Sequence, residues 1–88
     1  MRWVLDMATL PGPGLYRFRL ETPAWAAGWL ALGDFHSAIA YPGVATALRE
    51  LTGMAIPVNR ARITMHPGDE ALVFRHETGE VSLLIRLE

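Results

Sequence analysis

Eighty-eight residues leave room for one hydrophobic core and not for two, and an apolar fraction of 51% excludes compositional disorder. With a net charge of −1 and a pI of about 6.3, no global basic field draws in duplex DNA or RNA, although a local basic pocket is compatible with these values. There is no cysteine, which excludes a disulfide framework and a cysteine-ligated metal.

In chain order, Trp3 to Met7 reads as a short strand. Leu10-Pro11-Gly12-Pro13-Gly14 is a turn, because proline fixes φ and removes amide donors. Leu15 to Leu20 alternates: Tyr16, Phe18 and Leu20 share one face, and Arg17 and Arg19 the other. That is the period of a half-buried strand, and the turn before it suggests a hairpin with the first strand. Thr22-Pro23 opens a helix with a Thr cap and Pro at the first helical position. The helix reads Ala24 to Leu32 and stops at Gly33. Trp25, Trp29 and Leu32 form a stripe, alanines fill much of the rest, and no face is charged. Such a helix either tolerates alanine on an exposed face or offers Trp25 and Trp29 to a protein partner.

Asp34 to Tyr41 reads as a strand. Pro42 and Gly43 open a second helix that runs to about Thr52, with Val44, Leu48 and Leu51 on its core face and Gly53 ending it. Arg62 to Met65 is a further strand, His66-Pro67-Gly68-Asp69 a turn, and Glu70 to Arg75 a strand. Glu77-Thr78-Gly79 closes a hairpin into Val81 to Leu87. The expectation is an α/β fold: a single domain over residues 1–88, with a mixed five- or six-stranded sheet and two helices. The longest apolar run, Ala24 to Leu32, is far short of the ~20 residues that span a membrane. The N-terminus shows no leader pattern, so a cytoplasmic location is expected.

Candidate chemistry centres on Ile56-Pro57-Val58-Asn59-Arg60. Arg donates paired, charge-assisted hydrogen bonds suited to phosphate, and Asn donates and accepts beside it. The same pair can equally tie down a turn. The histidines, at 36, 66 and 76, fall on separate elements, and neither a metal site nor a cofactor is expected. Gly12-Pro13-Gly14 lacks the strand-turn-helix context of a phosphate loop.

Ser37-Ala38-Ile39, the helix ending Leu48-Arg49-Glu50-Leu51-Thr52-Gly53, the Ile-Pro-Val-Asn-Arg run and Pro67-Gly68-Asp69-Glu70-Ala71-Leu72-Val73-Phe74 together resemble the YddF-like family. That family includes viral and bacterial ring nucleases that act against type III CRISPR signalling. The resemblance covers nearly the whole chain. It implies a compact α/β homodimer that binds cyclic tetra-adenylate across the subunit interface, without a metal. It also implies that Ser37, Asn59 and Arg60 contact the ligand.

Departures from the family pattern bear on activity. The family reads Ser-Ala-Ile-Gly-His, and its His is catalytic; Ala40 and Tyr41 stand there in this chain. Imidazole exchanges a proton near pH 7, whereas a phenol ordinarily ionises at about 10. Tyr41 at the catalytic position is thus expected to lack general acid–base power, and it either stacks on a base or simply packs. Asp6 replaces a family Asn, and a carboxylate facing a phosphate repels it. The loop and short helix that follow the Val-Phe strand in the family are replaced by Arg75-His76-Glu77-Thr78-Gly79-Glu80. Three functions are compatible with these residues: a cyclic-oligonucleotide binder that cleaves poorly, a ring nuclease that works by positioning its substrate, and an interaction module that kept the fold and lost the ligand.

Overall fold

The strand that organises the sheet is β1, Arg2–Asp6. Its Val4 and Leu5 are both fully buried, one on each face, as befits a central parallel strand. In the computed structural model, which describes residues 1–88 except the side chain of Ala8, β1 is followed by a 3-10 turn at Met7–Thr9 and by β2, Tyr16–Glu21. Then come α1, Pro23–Ala31; β3, His36–Ser37; α2, Pro42–Thr52; β4, Glu70–Arg75; and β5, Glu80–Arg86. The sheet order is β2-β5-β4-β1-β3. The β3, β1 and β4 strands are parallel, and β5 and β2 add antiparallel at one side. Two helices and a mixed five-stranded sheet are the α/β architecture expected from the sequence.

Alternation along the strands divides the core. Val4, Leu72, Phe74, Val81 and Leu83 pack with Ala26, Trp29 and Leu30 of α1 and Ala45 and Leu48 of α2. Leu5, Ala71, Val73 and Leu84 face the other way, where Met65 and Ile63 cover them. Thr22 caps α1 by accepting from Trp25 N–H at 3.1 Å, and Gly33, with φ 73°, takes the left-handed conformation that ends it. Arg2 clamps the far end of α1: its guanidinium donates to the carbonyls of Trp29 and Gly33 and lies 3.9 Å from the Trp29 ring centroid. α2 ends at Gly53, with φ 74°, as its sequence indicates.

Five expectations are corrected. First, β1 and β2 do not form a hairpin. Both edges of β1 are occupied by β3 and β4, and β2 pairs with β5 instead. Second, on the face of Tyr16, Phe18 and Leu20 only Tyr16 is partly buried, packed against the core. β2 is an edge strand, and Phe18 and Leu20 are 59% and 60% exposed. Third, the strand expected at Asp34 to Tyr41 is confined to His36–Ser37, with one further parallel bridge from Ile39 to Val58. Fourth, Arg62 to Met65 forms no strand. These residues lie across a sheet face, with Met65 buried against it, and meet no strand edge to pair with. Fifth, Leu32 lies just past the end of α1, leaves the expected stripe and is 76% exposed, while the helix turns Ala26, Trp29 and Leu30 inward.

Candidate functional site

Parallel strands end together, and a crevice outside their carboxyl ends is the usual ligand site of an open α/β sheet. Here β1 ends at Asp6, β4 ends at Arg75, and α2 begins beside them. Between them lies an open cleft of about 180 Å³, lined by Asp6, Tyr41, Val44, Phe74, His76 and Glu77 together with Met7.

Tyr41 is the N-cap residue of α2, in extended backbone, and its side chain makes no capping bond. Its ring is therefore not consumed by the helix end, and it is 55% exposed at the cleft. Arg60 lies beside it. The Arg60 Nε donates to the Ala40 carbonyl at 3.2 Å, and its guanidinium carbon is 5.6 Å from the Tyr41 ring centroid. A cation thus stands near the N-terminus of an 11-residue helix, where the helix dipole already favours an anion.

Asp6 is 4% exposed on the cleft floor, and the Thr9 hydroxyl lies 3.2 Å from its Oδ1. Ser37 and Asn59 sit one layer away. The Ser37 hydroxyl donates to the Pro57 carbonyl and accepts from Ile39 N–H at 3.2 Å. Asn59 donates from its amide side chain to the Ser37 carbonyl at 2.9 Å and from its backbone N–H to the Ile39 carbonyl at 2.9 Å. These bonds zip residues 57–60 onto residues 37–40 and so deliver Arg60 to Tyr41. Of the residues singled out in the sequence, Tyr41, Arg60 and Asp6 gather at or beside the cleft, and Ser37 and Asn59 form the strut behind it.

The sequence reading passed over His76 and Glu77 as cleft residues. Both belong to the turn between β4 and β5, and the His76 ring lies 6.1 Å from that of Phe74. The signal that could have found them is position: they immediately follow a strand that pairs parallel with β1, at its carboxyl end. Among the described residues, no group of His, Asp and Glu could hold a metal ion. Nor is any helix long and apolar enough to cross a membrane.

The family model described as STIV B116-like matches residues 2–80. The chain belongs to the STIV B116-like family. A solved structure, B116 of Sulfolobus turreted icosahedral virus, superposes on this B116-like chain with a TM-score of 0.74, covering 99% of this chain and 98% of that one. Sequence identity is 17%, so this likeness concerns the fold alone. No curated protein matches the chain. The matches reach family and fold; they carry no ligand and no activity.

Proposed function

We propose that this B116-like protein binds a cyclic oligoadenylate second messenger at a cleft completed by a second copy, and that it cleaves the ring slowly at best. It would act in type III CRISPR signalling or in its viral suppression. The observation that carries the reading is Arg60 beside the exposed ring of Tyr41, which lines the strand-end cleft at the N-terminus of α2. A cyclic oligonucleotide offers what this corner takes: phosphates for the guanidinium and the helix end, and a flat base for the phenol ring. The resemblance noted in the sequence names cyclic tetra-adenylate within that class. Tyr41 in place of an imidazole, and a short turn at residues 76–79 in place of a covering loop, argue against rapid cleavage.

Calorimetric titration with a panel of cyclic oligoadenylates tests the proposal, with products identified afterwards. Binding of cyclic tetra-adenylate is expected, and Arg60→Ala should weaken it at least tenfold, since a charge-assisted hydrogen bond contributes about 1.5–3 kcal/mol. Asp6→Asn should strengthen binding by removing a carboxylate from the cleft floor. Absence of heat with every ring would defeat the proposal.

A second reading has its own observation. α1 carries no charged residue, and Leu32 at its end is 76% exposed beside a shallow apolar groove at Trp25 and Trp29. If no ring binds, an interaction module that contacts a protein through this helix is the better description.

A further inference from the structure

We infer that His76 is the general acid of whatever slow ring cleavage this cleft performs, an inference that rests on the cyclic-oligonucleotide reading. The fold brings His76 into the same cleft as Tyr41, from the opposite side: Tyr41 stands at the start of α2, and His76 on the turn that follows β4. Its ring lies against Phe74, a core residue only 2% exposed, which gives the imidazole a fixed wall to rest on. The turn is short and defined. Arg75 pairs with Glu80 across the hairpin, Gly79 N–H donates to the Arg75 carbonyl at 2.9 Å, and Gly79 takes φ 73°. The segment that replaces the longer covering loop thus places an imidazole at the mouth of the cleft.

The chemistry is a transesterification. A ribose 2′-oxygen attacks the adjacent phosphorus, and a 2′-O–P bond forms while the P–5′-O bond breaks. The electron pair of the broken bond goes to the 5′-oxygen, which takes a proton from the His76 imidazolium. The 2′-hydroxyl proton passes to solvent at the open cleft, and the imidazole regains a proton from solvent. Nothing is oxidised and no water is consumed; the products are a linear oligoadenylate with a 2′,3′-cyclic phosphate at one end and a 5′-hydroxyl at the other. Arg60 holds phosphate charge, as proposed above, and Tyr41 supports a base. The other titratable groups on the cleft are Asp6 on β1, Tyr41 at the start of α2 and Glu77 beside His76.

The test is a single-turnover incubation of cyclic tetra-adenylate with excess protein, read by mass spectrometry, for the native protein and His76→Gln. His76 is exposed on a turn, so its replacement should leave the circular dichroism unchanged. Native protein is expected to form the 2′,3′-cyclic phosphate slowly. His76→Gln should lower that rate about 100-fold. Cleavage undiminished in His76→Gln would overturn the inference and point to substrate positioning alone. Ring binding without any cleavage by native protein would overturn it too, while leaving the binding proposal intact. Failure to bind any ring would remove both.

Discussion

Single side chains in this protein divide sharply between those that hold the chain and those that face the cleft. Asp69 is of the first kind. It is buried at the His66–Asp69 turn, where its carboxylate accepts from His66 N–H and from the Met1 ammonium, each at 2.8 Å. The turn amide of His66 above all, and then the ammonium, hold its carboxyl below the ordinary value of 3.8. A carboxyl with a depressed folded-state value contributes stability above its ordinary value, and the contribution is lost as the pH falls through the folded-state one. Asp69→Asn should therefore lower the melting temperature at pH 7 and flatten the decline of melting temperature below about pH 4. Losing the charged acceptor should cost about 1.5–3 kcal/mol. Scanning calorimetry from pH 2 to 7 checks both effects, and an unchanged acid limb in the variant would show that other groups control it.

At the scale of the element, α2 is the best specified piece of the molecule. Tyr41 and Pro42 start it, Leu48 anchors it at zero exposure, and Gly53 stops it with a left-handed backbone. Leu48→Ala should cost about 2–5 kcal/mol, because it opens a cavity where both helices meet the sheet. Gly53→Ala should cost about 1–2 kcal/mol through backbone strain. A Cβ there meets nothing within 4 Å, so collision is not the cause. Urea denaturation of the two variants, singly and together, measures these costs; the effects should add if the cap and the core act independently. Most of α2 was legible in its own residues for this reason: its start, its stop and its buried face are all local signals. The strand at residues 34–41 was not. His36–Ser37 has β1 as a neighbour and Ile39 has only Val58, and no local pattern says how far a neighbour extends.

At the scale of the whole molecule, the chain leaves apolar surface uncovered. Phe18 and Leu20 lie exposed on the outer strand, and Leu15 and Leu32 are exposed elsewhere. Small domains gain much from burying such surface against a partner. The proposed cleft on a two-fold axis therefore predicts a dimer, with a light-scattering mass of twice 9.7 kDa at micromolar concentration. A monomer under those conditions would count against a shared cleft. If a larger assembly forms through α1, Trp25→Glu should reduce its mass without loss of helical circular dichroism.

The sequence by itself determined the α/β class, both helices with their caps and the β4–β5 hairpin. Each of these is written in residues close together along the chain: Thr22 before Pro23, Gly33 and Gly53 after their helices, the short turn at Glu77-Thr78-Gly79. The tertiary structure decided the rest. It placed β2 beside β5 and not beside β1, because β1, with Val4 and Leu5 fully buried, is best held between two parallel neighbours, while a strand with Arg17 and Arg19 on one face is tolerated at an edge. It turned Asn59 and Ser37 into a strut, because their backbone and side-chain groups satisfy one another where two segments separated by 20 residues or more meet. It also set His76 opposite Tyr41. Residues 35 positions apart share a cleft only because the carboxyl end of β4 and the start of α2 meet at the same end of the sheet, and that convergence is a property of strand order and not of any local sequence.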